Sequence, residues 1–119
     1  MRLAVGALIC LAIPALAEPW QRHTIDDTSQ GADGVRLADV NSDGFQDIVT
    51  PWEQGGSIRI YIHPGTSNTR QPWTRIEVGK VNSPEDAVLV DLDGDGALDV
   101  VSSCEGREQT VFFHCLESR

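Results

Sequence analysis

Asp91-Leu92-Asp93-Gly94-Asp95-Gly96-Ala97-Leu98-Asp99 crowds four carboxylates into nine residues, and Asp39-Val40-Asn41-Ser42-Asp43-Gly44-Phe45-Gln46-Asp47 repeats the pattern 52 residues upstream. In both copies oxygen-bearing side chains stand at positions 1, 3, 5 and 9, with glycine at position 6. Unpaired carboxylates this close repel one another. A cation removes that cost, and calcium, which takes roughly six to eight oxygen ligands in a flexible shell, suits a loop that alternates ligand and spacer. Glycine at position 6 allows the sharp turn that returns position 9 to the ion. Asp and Gly also build ordinary turns between strands. Two loops in the same frame favour the metal reading, with about two calcium ions per chain.

The loops do not match a helix-loop-helix calcium site, which closes on a bidentate Glu at position 12. Thr50 and Ser102 stand there. The flanks, Val35-Arg36-Leu37-Ala38 and Asp47-Ile48-Val49-Thr50, read as strands, so each loop is expected to join one strand to the next.

Outward from the loops, the self-similarity continues. Pro19-Trp20-Gln21-Arg22 matches Pro72-Trp73-Thr74-Arg75, and His63 matches His114 at a similar offset. A fixed period near 50 residues marks propellers and other arrays. Ile58, Ile60 and Ile62 alternate with Arg59, Tyr61 and His63, the period-2 pattern of a half-buried strand. In the second copy, strands are expected over about 73–78, 86–91, 98–103 and 109–114, separated by turn residues. The expected fold is therefore all-β, with two four-stranded antiparallel units over 18–66 and 67–119. Propellers close with about four to eight blades, so two units make an incomplete propeller. Its open edges invite self-association.

Residues 1–17 read as a cleavable signal peptide: Arg2, an apolar run from Leu3 to Pro14, then Ala15-Leu16-Ala17. The run is shorter than the roughly 20 residues that span a bilayer, so no membrane span is expected after cleavage and the product is expected to be exported. The formal charge of −9 argues against nucleic acid as a partner. Seven of the 18 acidic residues belong to the two loops, so part of that acidity is a metal site expressed in composition. Cys104 and Cys115 remain after cleavage. A hairpin turning at 105–108 would hold them roughly 20 Å apart, beyond the ~7 Å that a disulfide tolerates between Cα atoms.

Segments 34–49 and 87–101 resemble FG-GAP/VCBS repeats, the calcium-binding blades of the integrin α-subunit head and of many exported bacterial β-propellers. Clear Phe-Gly and Gly-Ala-Pro marks are missing, which favours the bacterial subtype. The resemblance implies one calcium held by Asp39, Asn41, Asp43 and Asp47 with the Phe45 carbonyl. It implies a second held by Asp91, Asp93, Asp95 and Asp99 with the Ala97 carbonyl. It further implies a scaffold that presents loops to a protein or glycan ligand. Related propellers also form parts of larger carbohydrate-active enzymes, such as lyases, dehydratases and hydrolases, so a truncated portion of one is the alternative.

Catalysis has little to build on. The close carboxylates all belong to the metal loops, and no nucleophile elbow, phosphate loop or His-Glu-x-x-His pair occurs. Trp20 and Trp73 are expected to pack between units. Trp52, in the loop-like Thr50–Gly56 segment, is the candidate for an exposed aromatic contact.

Overall fold

Ile58 and Ile60 point to one side of strand β3 (Ser57–Ile62) and are fully buried. They set the position of the core. Strand β2 (Asp47–Trp52) pairs antiparallel with β3, placing Val49 opposite Ile60 and Pro51 opposite Ile58. Strand β1 (Arg36–Ala38) lines the far side of β2, and β4 (Thr74–Lys80) lines the far side of β3. This gives a four-stranded sheet in the order β1-β2-β3-β4, here called sheet A. Strands β5 (Pro84–Val90), β6 (Asp99–Cys104) and β7 (Val111–His114) form a three-stranded antiparallel sheet B. The computed structural model describes residues 19–106 and 111–114, with the backbone alone for 112–114. No helix occurs among them.

The two sheets stack face to face. Val49, Ile58, Ile60 and Val81 meet Ala87, Val100 and Cys104 in one core, with Leu89 packed against it. Each fully buried Ile or Val adds roughly 1.5–3 kcal/mol to stability through the water it sheds. Arg36 of β1 pairs with Asp86 of β5 beside this core.

All-β architecture agrees with the sequence reading, but the strand grouping does not. The expected unit placed the strand near 73–78 with the second copy. It instead pairs with β3 as the outer strand of sheet A, with Ile60 opposite Ile76 and a bulge between Ile58 and Arg59. Sheet B correspondingly has three strands among the described residues rather than four. The sequence repeat and the sheets are out of phase by one strand. Local periodicity marks a strand but carries no information on which neighbour it pairs with.

Strand β3 is also not half-buried. Arg59 and Tyr61, on the face away from the isoleucines, are buried too. The N-terminal segment crosses that face and supplies Asp26. Its carboxylate accepts hydrogen bonds from Arg59 Nη1 at 2.9 Å and from the Tyr61 hydroxyl at 2.8 Å. Trp52 joins the same layer. It ends β2, is buried, donates its indole N–H to the Tyr61 oxygen at 2.9 Å and lies under the Arg59 guanidinium. The exposed-contact reading of Trp52 is therefore overturned: the Gly-Gly turn begins only after it, and the strap covers it. Trp20 is 95 % exposed rather than packed.

The signal-peptide segment 1–17 and Cys115 lie outside the described residues. Cys104 is buried in the core.

Candidate metal loops

Each Asp-rich loop joins the first two strands of its sheet: residues 39–46 link β1 to β2, and 91–98 link β5 to β6. The ninth position begins the second strand, and its side chain turns inward. Asp47 and Asp99 are both buried. Asp47 Oδ2 accepts the Val40 N–H at 2.9 Å, and Asp99 Oδ2 accepts the Leu92 N–H at 3.0 Å. Both bonds span seven residues and close the loop at its base.

The first position gathers the turn. Asp39 accepts from the N–H groups of Asp43 (3.0 Å) and Gly44 (2.8 Å), and Asp91 from those of Gly94 (2.8 Å) and Gly96 (3.1 Å). Position 5 caps position 7 in both loops: Asp43 accepts from Phe45 N–H, and Asp95 from Ala97 N–H. In the first loop Asn41 accepts from the Asp43 N–H and donates to its carboxylate. The Phe45 N–H and then the Asn41 amide hold the Asp43 carboxyl below its ordinary pKa.

Sequence reasoning singled out glycine at position 6, where Gly44 and Gly96 have φ of 87° and 90°. Position 4 is left-handed as well. Gly94 adopts φ 79° there, and Ser42 adopts φ 60° without being glycine. Serine at that position carries strain that the second loop avoids.

The donor set suits a hard cation. Ligand oxygens of Asp91, Asp93 and Asp99 all lie within 4.8 Å of one another. Donors at about 2.3–2.6 Å from one calcium ion cannot be more than about 5 Å apart, so these three fit a single shell. Asp95 is not in that group. No group of three carboxylates gathers in the first loop among the described residues, where the amide of Asn41 stands in place of Asp93. Thus the structure brings three of the second loop's four acidic positions together. Asp39, Asn41, Asp43 and Asp47 hold loop N–H groups as their counterparts do, without that convergence of three carboxylates.

The first loop makes a further contact. The Phe45 ring stacks on His63 with centroids 4.7 Å apart, and His63 meets the edge of Trp73 at 4.9 Å. The His63 N–H also donates to Asp47 Oδ1 at 2.7 Å. The sequence match between His63 and His114 is not a match of register. His114 sits opposite Val100, where Tyr61 sits opposite Ile48 in sheet A.

With two like loops at like places in stacked antiparallel sheets, a family model supplies the deciding comparison. It is described as FG-GAP-like repeat and matches residues 39–102, more than half of the chain, from the start of the first loop to just past the second. The chain belongs to the FG-GAP-like repeat family. No curated protein and no solved structure matches it. Within this FG-GAP-like chain the matched span holds both loops and all of the internal core except Cys104, so the family signal and the candidate metal site fall on the same residues.

Two features near the loops were not legible in the sequence. The first is the Asp26 strap. Burial of the Asp26 carboxyl works to raise its pKa. Hydrogen bonds from Thr28 and Tyr61, with the Arg59 charge, overturn that and hold it well below the ordinary range. The hint was Arg59 and Tyr61 alternating with isoleucines: a large polar pair on a strand face needs a partner when that face is covered. The second is a surface groove of about 470 Å³ between residues 24–28 and 72–75, with Trp73 and Arg75 on its wall.

Proposed function

We propose that this chain is an exported, calcium-stabilised binding scaffold of the FG-GAP/VCBS type, its two ions acting structurally and its loops and groove meeting a protein or glycan ligand. The observation that carries the calcium reading is the Asp91, Asp93 and Asp99 cluster at a strand-to-strand loop, together with the in-frame copy at Asp39 to Asp47. In the first site the ligands would be Asp39, Asn41, Asp43 and Asp47 with the Phe45 carbonyl. In the second they would be Asp91, Asp93, Asp95 and Asp99 with the Ala97 carbonyl.

Calcium would supply positive charge where the carboxylates converge. The chain's own residues do the rest. Asp47 and Asp99 tie loop to strand, and the left-handed residues at positions 4 and 6 turn the backbone. Sites of the extracellular class, with dissociation constants of about 10⁻⁴–10⁻³ M, would be filled in calcium-rich compartments outside the cytoplasm, so calcium stabilisation and export belong together in this reading. The groove beside Trp73 and Arg75 offers an aromatic wall and a charged group, a pairing suited to ligand contact.

Isothermal titration of the mature chain with calcium tests this reading. Two sites per chain are expected, falling to one when Asp91 and Asp93 are both changed to Asn. Absence of any calcium heat at millimolar concentration contradicts it.

A further inference from the structure

We infer that the outer face of sheet B docks on the β1 side of the outer face of sheet A in a second copy of this chain, so that copies associate head to tail. This goes beyond the scaffold reading and does not depend on calcium occupancy. It starts from apolar side chains that the fold leaves uncovered. Val88 and Val90 of β5 and Val111 of β7 are 38, 36 and 68 % exposed, and half-buried Val101 of β6 lies opposite Val88. Four β-branched residues thus share one outward face of a three-stranded sheet. On sheet A, Val35 and Leu37 are 55 and 59 % exposed, and half-buried Ile48 lies opposite Leu37. The Asp26 strap covers the neighbouring part of that face at Arg59 and Tyr61 and leaves the β1 side open.

The occupant is argued from the contact already inside the molecule. With the 52-residue offset, Val35, Leu37 and Ile48 correspond to Ala87, Leu89 and Val100. Those three, with Cys104, are the residues of sheet B that pack on sheet A. Conversely, Val101 corresponds to Val49, the fully buried residue of sheet A that receives them. The exposed patch of each sheet is therefore the counterpart of a surface that is buried in the other. A second copy placed as sheet A is placed on sheet B would repeat the internal stacking once more.

Charge agrees with this placement. The ion pair across the internal contact, Arg36 with Asp86, maps onto Val88 and Gly34. Both charges are replaced together, so the repeated contact strands no ion. An interface of this kind is heterologous, with different patches on the two partners, and it can propagate or close into a ring. Uncovered apolar sheet faces of this sort mark association surfaces.

Sedimentation velocity on the full chain over a range of concentrations tests the proposal, with the exposed-site variants Val88→Asp and Leu37→Asp. The mass of the wild-type chain should rise with concentration. Each variant alone should shift the midpoint of association upward by roughly tenfold or more, with its thermal midpoint unchanged. An equimolar mixture of the two keeps one intact patch on each partner and should form a one-to-one dimer that grows no further. A wild-type chain that stays monomeric at every concentration overturns the proposal. So does a Leu37→Asp variant that associates as well as wild type, which would indicate sheet B pairing with itself. A mixture that fails to associate overturns it too.

Discussion

Asp99 reaches back seven residues to accept the Leu92 N–H at 3.0 Å, closing the second loop from a position buried beneath it. Removing that acceptor breaks a part-buried hydrogen bond to a charged group, worth about 1.5–3 kcal/mol. Asp99→Ala should therefore lower the stability to urea by that amount even in chelator, with Asp99→Asn falling between the two because its amide oxygen can still accept. Equal stability of Asp99→Ala and wild type in chelator would show that the bond is not holding the loop.

Ser42 invites the opposite change. It adopts φ 60° at the position where the second loop carries Gly94. Left-handed geometry costs a non-glycine residue on the order of 1 kcal/mol or more, and glycine's greater freedom in the unfolded chain offsets part of the gain. Ser42→Gly should stabilise by up to about 1 kcal/mol, and Gly94→Ala should destabilise by about as much. Urea melts of the pair read both signs directly.

Asp26 gives a pH dependence. Its folded-state carboxyl lies below the value of 3.8 expected for the unfolded chain. The stability it contributes is therefore fully present above about pH 4 and is lost progressively as pH falls further. Asp26→Ala should cost roughly 3–5 kcal/mol, since it strands the buried Arg59 guanidinium, and should flatten the acid limb of the stability curve. Chemical denaturation at a series of pH values separates this from general acid unfolding: an unchanged limb in the variant would contradict the assignment.

Tyr61 adds a weaker, opposite dependence. Burial, and then its hydrogen bond to Asp26, push the phenol above its ordinary pKa of 10.0. Its contribution is present below pH 10 and is lost as pH rises through the shifted value. Tyr61→Phe removes the hydroxyl that Trp52 donates to and should cost about 1–2 kcal/mol, with a shift in tryptophan emission as a second readout.

The Asp-rich loops and their repetition were legible because their evidence is local: nine residues carry the oxygen spacing, and a second copy stands in frame 52 residues away. All-β architecture followed from alternation such as Ile58, Ile60 and Ile62. Pairing was not legible. β4 resembles the start of the second copy in sequence, yet it binds β3 through Ile76 and Ile60, a contact set by the edge it finds. Trp52 was misplaced because Pro51 and the glycines that follow it imitate a loop. Its burial depends on Tyr61 and on a strap whose Asp26 lies 33 residues from Arg59 in the chain. Ser42 could have been noticed by aligning the loops, where it faces Gly94.

Calcium dependence of the thermal midpoint addresses the central claim most directly. At free calcium about 100 times a site's dissociation constant, one structural ion stabilises by about 2.7 kcal/mol. For a domain of this size each kcal/mol moves the midpoint by about 4–8 °C. Melting the chain in 10 mM calcium and again in excess chelator should therefore show a midpoint higher by on the order of 10 °C with the ion. The difference should shrink in the Asp91→Asn/Asp93→Asn variant. A midpoint that is the same in calcium and in chelator would contradict the account.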